Sequence, residues 1–438
     1  MGEFLFMVEN EGRANIFKAF KTLKGNTRIS VIFEPMFGIP FALFNFYLSL
    51  YMKSQGIGNK QIGYLIAINF IFSAVFSLFG GVISDHLGRK KATLIFDFIS
   101  WPLALLLYAI SNSFWMFAIG MIMSSFNKIV AVSWNLMVVE DADHKQRVAA
   151  YNMLNIINLS TGIITPIAGI LVATIGISSA ERIFLIFAAI SMSTMILVRN
   201  HFYVETKVGQ EILDSKVKFN IREIFKNGIY AGAIQAILKR KEILLLLNVY
   251  VLFTVYAPIG TFFSLYYAPY MNEVLGIQKS ALSILGGVNS AVMLIVFAFV
   301  IPVISRFNLV INMIIGTIVQ AAALFMLIVI PKNNLTIIIF CVVTFAIGYS
   351  LFRAFNDSIL AEVTDGKERA GIYSMLNTVI SILSALAGLA SGYLYAYNPR
   401  SIYVLSIGIL LLSCIFLILF FIIAENNKKL PITKVEES

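Results

Sequence analysis

Residues 61–110 read QIGYLIAINFIFSAVFSLFGGVISDHLGRKKATLIFDFISWPLALLLYAI. Two apolar runs flank one charged turn, GGVISDHLGRKK (80–91), which crowds Asp85, His86, Arg89, Lys90 and Lys91 together. Each run reaches the ~20 residues needed to cross a hydrocarbon core of about 30 Å. Such runs recur along all 438 residues, of which 59% are hydrophobic and 13% charged, with a mean hydropathy of +0.86. A water-soluble domain is about half apolar and a quarter charged. The pattern predicts an all-α membrane protein. The runs are continuous rather than alternating, which argues against a transmembrane β-barrel.

Twelve spans are predicted, near 29–52, 61–83, 92–111, 113–139, 148–175, 180–199, 242–270, 279–303, 308–330, 334–360, 370–397 and 401–424. The expected organisation is an N-terminal tail (1–28), a six-helix bundle (29–199), a linker with a surface helix (200–241), a second six-helix bundle (242–424) and a C-terminal tail (425–438). Loop cations set the sides: about 25 Lys and Arg fall on the face with GRKK, HKQR and both tails, against about 6 on the other. Both termini are expected in the cytoplasm, and the protein in the plasma membrane. The first 28 residues lack the pattern of a cleavable signal peptide. Within the linker, residues 219–242 place apolar residues at near-helical spacing with basic residues between, as in a helix lying on the membrane surface. Cys341 and Cys414 lie inside apolar runs and imply neither a disulfide framework nor a metal site.

The chain repeats itself. VEDADHKQRVAAYNMLN (139–155) aligns at a constant offset of 222 with AEVTDGKERAGIYSMLN (361–377). The matches are Glu140/Glu362, Asp143/Asp365, Lys145/Lys367, Arg147/Arg369, Tyr151/Tyr373 and Met-Leu-Asn. Charged positions kept in order across half the chain predict two six-helix halves of the same topology, an arrangement used by transporters that rock around a central site.

Gly81-x-x-x-Asp85-x-x-Gly88-Arg89-Lys90 resembles the loop signature of the major facilitator superfamily of secondary transporters. His86 stands where that signature commonly has Arg, and Ile83 where it has Leu. The resemblance covers the whole chain, including Glu-x6-Arg after the fourth span and again after the tenth. It implies the fold of that family: twelve helices in two pseudo-symmetric bundles. It also implies a conformational lock on the cytoplasmic side. Asp85 would face the start of the eleventh helix, and Arg89 would reach Glu140 or Asp143. Gly81, Gly88, Lys90, Arg147, Glu362 and Arg369 would complete the lock. Glycines there would allow close approach and permissive backbone angles.

Ionisable groups inside spans are costly and point to function. Five stand out: Glu34, Asp97, Lys128, Arg353 and Asp357. The resemblance places helices one, four, seven and ten around the cavity, so Glu34, Lys128, Arg353 and Asp357 would face it. Glu34 is expected to pair with Lys128 or Arg353 and to carry the coupling proton, with Asp357 second. Asp97, near the interface, is expected to be structural. Pro35, Gly38 and Pro40 free carbonyls in the first helix, which suits a cavity-facing position. Asn127, Trp134, Tyr256 and Tyr349, with Lys128 and Arg353, are the expected substrate contacts.

These features predict a secondary transporter for a small organic solute, with proton-coupled uptake of a polar solute such as a sugar or organic acid. Proton-driven multidrug efflux is the alternative. The fifth helix, NLSTGIITPIAGILVAT, keeps Pro166 and Gly169 but lacks the adjoining glycines of the antiporter pattern. A membrane sensor is a further alternative. No catalytic constellation, phosphate-binding loop, cofactor or nucleic-acid partner is expected, and the protein is expected to act as a monomer.

Overall fold

A computed structural model of the chain describes residues 20–215, 241–262, 264–305, 307–363 and 369–427, excepting the side chains of 144, 241–243, 357–375 and 424–427. The chain is a helical bundle. Twelve long helices follow in order: α1 Gly25–Asn45, α2 Asn59–Leu87, α3 Arg89–Ile110, α4 Phe114–Val139, α5 Lys145–Ile175, α6 Ile177–Phe202, α7 Lys241–Gly260, α8 Lys279–Ile304, α9 Leu309–Val329, α10 Leu335–Val363, α11 Arg369–Tyr397 and α12 Ser401–Asn427. Among the described residues, eleven have the length and hydropathy to cross a membrane. The apolar part of α7, Leu244–Gly260, is shorter. The expected seventh span ran to 270, but Pro258 and Gly260 lie at the end of α7, and the chain turns before a short helix at Tyr267–Pro269.

Prolines account for most other interruptions. Pro102 sits in a π-helical turn, Ile99–Leu103, within α3. Pro166 restarts α5 after a relaxed turn at 163–165. In α1, Pro40 has no N–H to give the Met36 carbonyl, and the Ser191 hydroxyl of α6 donates to that carbonyl at 2.8 Å. The first predicted span is divided: α1 ends at Asn45 and a short helix, Leu48–Ser54, continues from it.

The two halves, α1–α6 and α7–α12, meet along α2 against α11 and α5 against α8. Small residues permit this. A Cβ on Gly63 of α2 would come within 2.8 Å of the Gly388 carbonyl and the Gly392 Cα of α11. A Cβ on Gly169 of α5 would meet the Ser280 carbonyl of α8 at 2.1 Å. Close backbone approach of this kind is the usual means of helix association in lipid.

The end of the molecule with residues 88–91 is called the basic face below, and the opposite end the far face. At the far face the halves are joined by side chains. Lys53 pairs with Glu273 at 2.5 Å, Tyr47 donates to the Lys279 carbonyl at 2.7 Å, Tyr266 donates to the Asn59 carbonyl at 3.1 Å, and the hydroxyls of Tyr64 and Tyr393 lie 2.6 Å apart. The far face is closed. The predicted linker helix lies outside the described residues, as does most of the second repeat copy.

Candidate functional site

Helix α6 carries its core on the stripe Met192, Met195, Ile196, Arg199, Tyr203. The three- and four-residue spacing puts Arg199 on the buried side. Sequence reading ended the sixth span at Arg199 and did not count it among the charges inside the membrane, because a cation at the end of an apolar run resembles an interfacial anchor. The helix continues to Phe202, and Arg199 is only 4% exposed.

Arg199 is paired with Asp97 of α3 through Nη2 and Oδ2, and both side chains are 5% exposed. Glu34 of α1, also buried, lies within electrostatic reach of both, with the Asn158 amide of α5 beside its carboxylate. Tyr203 encloses the group from the basic face. Its hydroxyl lies 2.5 Å from Ser30 Oγ, which itself donates to the Asn26 carbonyl, so Tyr203 is the donor. Its ring lies over the Arg199 guanidinium at 5.5 Å. One expectation is thereby corrected: Glu34 is grouped with Arg199 rather than with Lys128 or Arg353. Asp97, expected to be structural, pairs with Arg199 in the same cluster, because α3, buried on this side by α6, brings it inward.

The cluster communicates with an accessible polar stripe. Tyr151, Asn155, Asn158 and Gly162 recur at three- and four-residue spacing on α5, and the first three are exposed. Gly162 closes the stripe against Ser290 of α8, so the stripe faces the second half. The Tyr151 hydroxyl donates to Asn135 Oδ1 of α4, which adds α4 to the same surface.

The other expected contacts are scattered. Lys128 of α4 is half-buried, and among the described residues no carboxylate pairs with it. Arg353 of α10 is exposed, and the Asp357 side chain lies outside the described residues. Asn127 begins the second part of α4. Trp134 packs with Val31, Val138, Ala150 and Leu154. Tyr256 and Tyr349 are buried in an aromatic stack with Phe253, at 6.1 and 5.3 Å.

At the basic face, Arg89 donates through Nη2 to Glu140 at 3.1 Å and through Nη1 to Asp85 at 2.7 Å. Gly88 has φ +82°, a backbone angle suited to glycine. Gly81 has open space about it. Its neighbour Gly80 makes the close approach, 3.1 Å from a Cβ there to Val132 of α4. Asp85 turns back on Arg89 of its own loop, and the α11 side chains expected to face it, Arg369 included, lie outside the described residues, as does Glu362. Arg147 donates to the Val139 and Ala142 carbonyls and so ends α4. Lys90 contributes its backbone N–H, which donates to Glu205 at 3.0 Å. Glu205 was absent from the sequence reading. Its other oxygen accepts from Arg89 N at 3.1 Å, which caps the start of α3. Thr206 donates to Glu140 alongside.

Comparison with known proteins agrees with this architecture. The model of the Major Facilitator Superfamily matches residues 36–308 and 251–437. A Na(+), Li(+), K(+)/H(+) antiporter of Planococcus maritimus is 27% identical over 224 residues, 49% of each chain, so the match spans about half that relative's length. The fold resembles the nucleoside transporter NupG, with a TM-score of 0.67, 11% identity, and coverage of 91% of this chain and 99% of that one. It also resembles a D-xylose–proton symporter, with a TM-score of 0.64, 13% identity, and coverage of 89% and 96%. With twelve long helices among the described residues, arranged in two halves, and the family model matched along nearly its whole length, the chain belongs to the Major Facilitator Superfamily of transporters.

Proposed function

We propose that the protein is a proton-coupled secondary transporter of a small polar solute, with Glu34 as the group that takes up and releases the proton. The supporting observation is the buried cluster of two carboxylates and one guanidinium, Glu34, Asp97 and Arg199. With both carboxylates ionised the cluster carries one excess negative charge in a low-dielectric interior, which is costly. One proton removes that charge. Arg199 already pairs with Asp97, so Glu34 is the partner left to bind it. Asn158 connects Glu34 to the accessible stripe. Water or solute filling that stripe would stabilise ionised Glu34, and emptying would favour the neutral acid. That alternation couples proton occupancy to solute occupancy.

The amides and hydroxyls of Asn135, Tyr151, Asn155 and Asn158 suit a hydrogen-bonding solute. Lys128 and Arg353 stand ready to add positive charge for an anionic one. By this reading the basic face is cytoplasmic, both termini lie inside and the closed far face is external. A second reading is exchange of a monovalent cation for protons at the same carboxylates, favoured by the Planococcus relative. Reconstituted vesicles with an interior pH dye separate the two. Under an imposed pH gradient, solutes and alkali cations are offered in turn to wild type and Glu34→Gln. The expected result is solute-linked proton movement in wild type and exchange without gradient-driven accumulation in the variant. Gradient-driven accumulation intact in Glu34→Gln removes the assignment.

A further inference from the structure

The second buried carboxylate of α6 lies far from this cluster. Glu181 shares the core face Ile177, Ala180, Glu181, Phe184, Leu185, and its exposure is zero. At about 1.5 Å per residue, α6 carries Glu181 and Arg199 about 27 Å apart, nearly the width of a bilayer core. Glu181 therefore lies at the far face. Neither carboxylate oxygen has a hydrogen-bond partner among the described residues.

Among the described residues, its surroundings supply no countercharge. On α6 itself, Arg182 turns away to Tyr51 Oη and Gln55 Oε1, each at 3.3 Å. From the chain after α1, Tyr47 is the phenol within electrostatic reach of Glu181. From α3, the Tyr108 hydroxyl pairs with Ser124 at 3.1 Å. The adjoining part of α5, Pro166–Ile175, has no ionisable residue. From α8, Lys279 is exposed and lends its carbonyl to Tyr47. Lys53 is bound to Glu273 and Asn59. An isolated ion in so dry a place is strongly disfavoured against the neutral acid.

The position adds a second constraint. Tyr47, the phenol facing Glu181, makes one of the contacts that hold the halves together at the far face. Parting the halves there breaks that contact and admits water beside Glu181. We propose that Glu181 is a second proton-binding site, which is neutral while the far face is closed and ionises when that face opens. A proton arriving from the far side then favours closure, and lowering the proton concentration there favours opening. Glu181 would thus load from one side of the membrane while the Glu34 cluster serves the other. The inference does not depend on the role of Glu34.

The test uses the full chain in lipid nanodiscs. Infrared spectra would follow the carbonyl stretch of protonated carboxyl groups. Spin labels at Asn112→Cys and Lys332→Cys, in loops of opposite halves at the far face, would follow opening. At neutral pH a protonated-carboxyl band is expected in wild type and in Glu34→Gln, and a smaller one in Glu181→Gln. At alkaline pH the label distance is expected to lengthen in wild type and Glu34→Gln but to stay short in Glu181→Gln. Equal carboxyl bands in wild type and Glu181→Gln would overturn the proposal, as would opening with unchanged pH dependence in that variant. Glu181→Met, of similar size and without charge, serves the same comparison where the Gln variant does not fold. Loss of pH response in Glu34→Gln alone would count against Glu181 and for the Glu34 reading.

Discussion

Asp97 and Arg199 are drawn from helices three and six of the first half and form a buried ion pair beside Glu34. Removing Arg199 leaves the buried Asp97 carboxylate without compensation, at an expected cost of about 3–5 kcal/mol, whereas after loss of Asp97 the guanidinium still has Glu34 beside it. Arg199→Gln should therefore lower the thermal midpoint in detergent more than Asp97→Asn. The double variant should recover part of the Arg199→Gln loss, because the Asp97 charge is gone with its partner. Additive losses in the double variant would show that the pair is not coupled.

Gly88 joins α2 to α3 at φ +82°, and a Cβ there would meet Glu205 Oε2 at 2.6 Å. Gly88→Ala adds backbone strain of about 1–3 kcal/mol and displaces the carboxylate that caps α3. The expected outcome is a less stable basic face, read as faster hydrogen exchange at residues 88–92. Gly81→Ala, in open space, should leave exchange there unchanged.

Gly63, Gly388 and Gly392 bring α2 and α11 into backbone contact at the far face. Gly63→Leu cannot be accommodated without separating the helices. Cysteine accessibility at far-face positions near Asn59 should rise at least several-fold in this variant, while the protein stays monodisperse. Accessibility equal to wild type would show that the contact is not needed for closure.

Asp143 lies outside the spans and caps α5. It accepts from Gln146 N at 2.8 Å, and that backbone hydrogen bond holds its carboxyl below the usual range. Because the folded state favours the ionised form, the stabilisation is complete above about pH 4 and lost as pH falls through the depressed value. Asp143→Asn should therefore narrow its small difference from wild type as the solution is acidified. A difference that grows on acidification would contradict the cap.

The bundle architecture was legible because the solvent of a membrane protein imposes it: every apolar run had to become a helix. Glu34 was legible for the same reason, as a charge inside a run broken by prolines. Arg199 and Glu181 were not, because each stands near a run end, where a charge reads as interfacial. Only the buried stripes, Met192–Met195–Ile196–Arg199–Tyr203 and Ile177–Ala180–Glu181–Phe184, distinguish them. The pairing of Glu34 was misread because composition cannot say which of several cations a helix rotation brings near. Sequence spacing also cannot tell Gly80 from Gly81: Gly80 makes the close approach to α4, and Gly81 lies in open space.

Glu205 and Thr206 fasten the chain leaving α6 onto the turn between α2 and α3, and the short helix Lys207–Asp214 follows directly. The chain after α6 is therefore held to the first bundle well beyond the end of that helix. A pull on the chain beyond Asp214 would therefore reach the first bundle through Glu205 and Thr206, at Arg89, Lys90 and Glu140, before it reached the end of α6.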